Sequence, residues 1–210
     1  MRNLFLAMAV LISACGSASE EDTAVVEMFK AYQSALLQDD GSAAVDFLSD
    51  RTVGYYTDMI AKARSMPEDA LRKESFLDRF TVLRLRDTFK PEHLATMTGK
   101  ELLVYAIEQS WIDKEGTALY QVQKVILKDD FAAIRMKRGD VEIPFPFEAY
   151  KEDQRWKLDL TSVFVPANLG FVQQAEASGL TEDEFINQIL VALGSSDGLT
   201  DDLWVPAEAR

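Results

Sequence analysis

The hydrophobic period of this chain switches from helical to strand-like between Gln109 and Thr117, and that change constrains the fold more than any other feature. Before it, apolar residues recur every three or four positions; after it, every second position. Val25, Met28, Phe29, Tyr32 and Leu36 share one helical face. Asp39-Asp40-Gly41 breaks that helix, and Ser42 is placed to cap a second one carrying Val45, Phe47 and Leu48. Residues 52–64 read as a third helix with Tyr55, Tyr56, Met59 and Ile60. Ser65-x-x-Glu68, with Pro67 in the first turn, marks another start. Phe76, Phe80, Leu83 and Phe89 line an amphipathic stretch that Lys90-Pro91 closes, and Thr98-x-x-Glu101 is a capping box for the run from Leu102 to Ile107.

After the switch, residues 117–127 and 131–138 read as strands joined through Lys128-Asp129-Asp130, and Arg138-Gly139-Asp140 turns again. Val141, Ile143, Phe145, Phe147 and Ala149 then alternate with Glu142, Pro144, Pro146 and Glu148, which makes a strand with one buried face. The prolines assign it to an edge or a bulge, because they have no N–H to give a ladder. Lys151-Glu152-Asp153-Gln154 turns, and Trp156, Leu158 and Leu160 alternate with Lys157, Asp159 and Thr161. Four strands with short turns form an antiparallel meander. Helix returns after Pro166, where Thr181-x-x-Glu184 caps the run Phe185, Ile186, Ile189, Leu190 and Leu193, and Gly194 stops it. The fold class is therefore α+β: N-terminal helices, a four-stranded antiparallel meander, extra helices and a C-terminal helical segment.

The first fifteen residues carry a different message. Met1-Arg2-Asn3 is positively charged, and the apolar run Leu4 to Ile12 is shorter than the ~20 residues a membrane span needs. It fits the apolar region of a secretory signal peptide. Leu11-Ile12-Ser13-Ala14-Cys15 resembles a bacterial lipobox. That resemblance implies cleavage before Cys15, which would carry acyl chains such as palmitate. By analogy with lipoprotein sorting, Gly16 rather than Asp after the cysteine points to the outer membrane, facing the periplasm. The expected organisation is a signal peptide over 1–14, lipidated Cys15 and a flexible tether over 15–23, a single α+β domain over 24–194 and a polar tail over 195–210. Trp204 in that tail is expected to pack back on the domain.

Charge and composition remove several functions. With 35 acidic and 22 basic side chains the formal net charge is −13, which opposes nucleic-acid binding and attraction to anionic lipid headgroups. One Cys excludes an intramolecular disulfide and a multi-cysteine metal site. His93 sits in a charged connector and reads as a surface histidine. There is no phosphate-binding glycine loop, no Gly-x-Ser-x-Gly elbow, no His-Glu-x-x-His and no Cys-x-x-Cys. Asp197 to Asp202 lacks the ligand order of a calcium loop. Arg79, Arg84, Arg86 and Asp87 read as a solvated, ion-paired helix face. Phe145, Phe147, Trp156 and Tyr120 read as core. No metal and no cofactor are expected.

Two segments resemble the nuclear-transport-factor-two-like superfamily of cone-shaped α+β domains. One is Phe29-Lys30-Ala31-Tyr32-Gln33-Ser34-Ala35-Leu36 followed by Ala43-Ala44-Val45-Asp46-Phe47-Leu48. The other is Arg155-Trp156-Lys157-Leu158-Asp159-Leu160. The resemblance covers 24–60 and 117–162 and matches no catalytic motif. It implies a cone, and among the superfamily's enzymes the ketosteroid isomerases use a carboxylic acid and a Tyr inside it. Here Asp159 and Tyr120 are the candidate pair, although Asp159 is expected to face solvent in its Lys-Asp-Thr row. Extra helices over 65–110 would either cover the concave face or serve as lids. The expected function is a lipid-anchored envelope protein acting as a non-catalytic binding module for a partner protein or a small apolar ligand. The alternatives are a small isomerase- or hydratase-type enzyme with a buried carboxylate and Tyr, and a structural, self-associating envelope protein.

Overall fold

The computed structural model describes residues 19–210, so Cys15 and the lipobox lie outside the described residues. Helix α1 (Glu20–Leu37) opens the described chain. Residues 20–23, expected as tether, are already its first turn. The Ser19 side chain accepts from the Asp22 N–H, the Asp22 carboxylate accepts from the Ser19 N–H, and three acids sit at the positive end of the helix. Next come α2 (Gly41–Val45), α3 (Asp50–Ser65) and α4 (Glu68–Leu71). Asp40, not Ser42, caps α2 by accepting from the Ala43 N–H at 2.9 Å. Ser65 does not cap α4: its hydroxyl donates back to the Ala61 carbonyl, and Pro67 holds the cap position.

Helices α5 (Phe76–Thr88), α6 (Pro91–Thr96), α7 (Gly99–Glu108) and α8 (Lys114–Ala118) follow. Both halves of the Thr98/Glu101 capping box form. Thr117, expected to begin a strand, is helical, because Asp113 accepts from the Gly116 N–H at 2.8 Å and starts a turn. The strands are β1 (Tyr120–Lys128), β2 (Phe131–Arg138), β3 (Val141–Glu142), β4 (Phe147–Glu152) and β5 (Arg155–Asp159). A 3₁₀ turn at Leu160–Val163 leads into α9 (Phe164–Ala177), which starts before Pro166, and α10 (Glu182–Ala192) follows with its own capping box.

The sheet is antiparallel with order β1-β2-β4-β5, and β3 pairs with β2. The strand expected over 141–149 is thus broken in two. Pro144 and Pro146 supply no N–H, and pairing with β2 resumes out of step after them. Phe147 and Ala149 are buried as expected, but Val141 is 67% exposed. A bulge between Val122 and Lys124 also resets β1, so that Tyr120 and Val122, then Val125 and Leu127, face inward. The free edge of β5 is covered: Leu158 N–H donates to the Phe47 carbonyl and Ser49 N–H to the Leu158 carbonyl, at 2.8 and 2.9 Å.

Two apolar cores result. One lies between the sheet and α1, with Phe29, Tyr32, Leu36, Ile134 and Leu158. The other fills a helical lobe, with Met59, Leu83, Leu102, Ile186 and Trp204. Tyr56 on α3 packs against both. The C-terminal segment folds over α5. Trp204 is buried, and the Arg72 guanidinium lies 3.8 Å from its ring centre. This wrapping overturns the solvated face expected on α5: Arg79 and Arg86 are buried and Arg84 is nearly so. Arg79 pairs with Glu182 and Asp183 of α10, and Arg86 donates only to carbonyls.

Candidate functional site

A partly open cavity on the inner face of the sheet has a volume of about 420 Å³. Its wall is built from four directions. Phe29 and Tyr32 come from the buried face of α1, Tyr56 from α3, Tyr120, Phe147 and Leu158 from the inner face of the sheet, and Phe164 and Ala167 from α9. The strand period places Tyr120, Phe147 and Leu158 on one face, and the bulge in β1 keeps Tyr120 inward at the strand's start. Gln33 fixes that rim by donating to the Thr117 and Tyr120 carbonyls at 2.8 and 3.0 Å. Helix α9 forms the roof. Its Asn168 side chain accepts from the Leu77 N–H at 3.0 Å, which satisfies an otherwise orphaned donor in the first turn of α5. Only Ala175 of α9 is fully buried, and Val165 and Leu169 point outward at 80% and 56% exposure.

The polarity of the cavity comes from three tyrosines. Tyr32 is 1% exposed, yet among the described residues its hydroxyl has no hydrogen-bond partner. Burial, with Tyr56 nearby, raises its pKa far above the ordinary phenol value. Burial likewise pushes Tyr56 up to about 12. Both phenols are therefore neutral donors at any physiological pH. No charged side chain lines this cavity. Its aromatic walls interlock: Phe147 meets Phe29 edge-on at 6.4 Å and Tyr120 at 5.5 Å, and Phe164 of the roof meets Tyr55 at 4.5 Å.

The expected acid–tyrosine pair is not assembled. Tyr120 lines the cavity, whereas Asp159 does not. Asp159 is also not solvent-facing, as its place in the row suggested; it is 1% exposed. Its Oδ1 accepts from Thr161 N–H, Thr161 Oγ1 and Thr52 Oγ1 at 3.0, 2.7 and 3.3 Å, so it caps the 3₁₀ turn after β5 and pins it to α3. His93 is exposed on α6. Among the described residues no three His, Cys, Asp or Glu side chains stand together in a metal-binding group, and Asp202 at the far end of the acidic stretch pairs with Arg210 at 3.9 Å. Among the described residues no helix is long and apolar enough to cross a membrane.

A larger recess of about 560 Å³ runs outside this cavity along α1 and β5. It is a groove of mixed charge, with Glu27 and Asp46 against Arg155 and Lys157. Sequence reasoning named Tyr32 and Tyr56 only as helix-face residues. The available signal was a phenol on an otherwise apolar buried face, since such a hydroxyl needs a partner or a cavity. Comparison with protein-family models, with curated proteins and with solved structures finds no match to this chain. The fold and cavity define an α+β domain with an aromatic, uncharged interior site, and the functional reading rests on that geometry.

Proposed function

We propose that this chain is a lipid-anchored envelope protein whose cone-like domain, of the nuclear-transport-factor-two-like kind, binds a small apolar ligand without transforming it. One observation carries the reading: a partly open cavity of about 420 Å³ whose lining is aromatic and aliphatic, with phenols as its main polar groups. Transfer of an apolar molecule from water into such a site is favourable, and the volume lies within the ~300–1,000 Å³ usual for ligand pockets. A general base would need a carboxylate in the cavity, and Asp159 is engaged elsewhere by Thr52 and Thr161. That favours binding over isomerase- or hydratase-type chemistry.

The anchor rests on the sequence alone: the charged start, the short apolar run and the lipobox ending at Cys15. With Arg2 removed with the signal peptide the net charge falls from −13 to −14, so the domain would stand off an anionic bilayer, held by its acyl chains and facing the periplasm from the outer membrane. Two measurements test the two halves. Cys15→Ala should move the protein from the membrane to the soluble fraction of a Gram-negative host; unchanged membrane association would remove the anchor. The neutral probe N-phenyl-1-naphthylamine should brighten on binding the wild type and lose most of that signal with Ala167→Phe, which fills the cavity from α9. No brightening with the wild type would remove the ligand-binding reading.

A further inference from the structure

The cone cavity shares a wall with a second one. A second compartment of about 220 Å³ lies in the helical lobe, between α5, α7 and the Trp111 loop. Tyr56 and Ile112 line both compartments, so the two lie back to back with these side chains between them. One helix roofs both: Phe164 and Ala167 of α9 cover the cone, and Phe171, two turns on, covers the second compartment. Tyr56 is enclosed by protein yet keeps accessible surface, because it borders both cavities.

The second compartment is smaller than the ~300 Å³ at which ligand sites usually begin. Joined to the cone, it makes one site in the middle of the usual range. Such a joined site would be apolar apart from one charge. Among all the residues lining the two compartments, Arg84 is the one that carries a charge. Its side chain is 11% exposed and lies near the Trp111 ring, 4.9 Å from its centre. Nη1 donates to Asp87 at 3.1 Å and Nη2 to the Leu193 carbonyl at 3.0 Å, while Nε is buried with no partner. Asp87 is itself held by Ser195 Oγ at 2.9 Å. A guanidinium has five N–H donors, so this one is fixed in place with donor capacity left over. A nearly buried cation confined to one of two otherwise uncharged apolar compartments selects a ligand with an acid at one end and hydrocarbon along the rest.

We propose that the cone and the helical lobe together hold one single-chain aliphatic carboxylate, its acid group at Arg84 and its hydrocarbon chain running past Tyr56 into the cone. This rests on the ligand-binding reading of the cone and names the ligand class for it. The chain length matters because a short acid fills only the second compartment, and the headgroup matters because the cone itself offers no charge.

The test is titration calorimetry on delipidated full-length protein with sodium palmitate, sodium octanoate and 1-hexadecanol, alongside N-phenyl-1-naphthylamine fluorescence. The wild type should bind palmitate at least tenfold more tightly than octanoate or hexadecanol. Arg84→Met should abolish the preference for palmitate over hexadecanol. Ala106→Leu, which fills the second compartment from α7, should weaken palmitate at least tenfold while the neutral probe still binds the cone. Thr81→Leu fills the same space from α5 and serves if Ala106→Leu does not give the wild-type circular dichroism. Equal affinity for palmitate and hexadecanol, or unchanged palmitate affinity in the filled variants, would overturn the proposal. If the neutral probe binds and palmitate does not, the bipartite site falls and the cone reading stands; if the neutral probe fails as well, both fall.

Discussion

Arg86 Nη1 donates to the Trp204 carbonyl at 3.0 Å, so a guanidinium on α5 holds the last part of the chain. The same group reaches the Leu203 carbonyl at 3.1 Å, and its Nε and Nη2 reach Ala63, Lys62 and Met66 carbonyls at the end of α3 at 2.9, 3.3 and 2.5 Å. These partners are all carbonyls, which suits a cation at the negative end of a helix. Burial, with Arg210 nearby, lowers its pKa to about 10, so it stays charged at neutral pH. Arg86→Lys keeps the charge but loses the fork. With each charge-assisted bond worth ~1.5–3 kcal/mol and not additive, we expect a loss of about 3 kcal/mol, or about 6–12 °C in Tm. Scanning calorimetry checks this, and a Tm within a degree of wild type would contradict it.

Asp159→Ala should destabilise the fold and leave ligand binding alone. The carboxylate gathers Thr52 and Thr161 and lines no cavity. Removing it strands buried hydroxyls, at a cost of about 2–3 kcal/mol. The expected result is a lower urea midpoint with an unchanged affinity for the neutral naphthylamine probe. A large loss of binding in a folded variant would return Asp159 to the site.

Acid should weaken the fold through identifiable carboxylates. Hydrogen bonds from the Thr98 backbone and side chain hold Glu101 below the ordinary value of 4.5, those of Thr181 do the same for Glu184, and those of Lys151 and Trp156 for Glu21. A pKa lowered by folding gives stability that is full above the unfolded value and is lost as pH falls through the folded one. The urea midpoint should therefore hold from pH 7 to about 5 and decline below about 4.5. Glu21→Gln should flatten that decline, because its amide oxygen can still accept from Trp156 Nε1, which donates to Glu21 at 2.7 Å, while the titrating charge opposite Lys151 is gone. An identical acid profile in the variant would show that Glu21 contributes nothing to it.

Tyr32→Phe should separate stability from function. Tyr32 lines the cavity, and among the described residues no hydrogen bond holds its hydroxyl, so its removal should leave the apo protein as stable or more stable by up to about 1 kcal/mol. A ligand that satisfies the hydroxyl should bind the variant less tightly. Thermal unfolding with and without ligand reads both effects, and a marked loss of apo stability would mean that the hydroxyl already has a partner.

Most of the element order was legible because local signals agreed with tertiary ones. The Thr98/Glu101 and Thr181/Glu184 capping boxes both form, and Val25, Met28, Phe29, Tyr32 and Leu36 are all buried. The misreadings fall where tertiary context overrides local pattern. The alternation from Val141 to Ala149 is perfect in sequence, but two prolines cannot serve a ladder, so half of that strand leaves the sheet. The arginines of α5 looked solvated because nothing local shows that the C-terminal segment and α10 close over them. Asp159 shows the same limit: alternation sends it away from Leu158, and only the approach of Thr52, 107 residues earlier, buries it. The cavity was the least legible part. It depends on where α9 lies over the inner face of the sheet, and Tyr32 and Tyr56 become a site only when α1 and α3 converge beneath it.

The most direct measurement is the native mass of the full-length protein isolated from its membrane fraction, for the wild type and for Ala167→Phe. The wild type should carry a non-covalent, solvent-extractable adduct of small-molecule mass, and the cavity-filled variant should lack it. A wild-type mass equal to that of the covalent chain alone, unchanged after incubation with N-phenyl-1-naphthylamine, would contradict a cone that binds ligand.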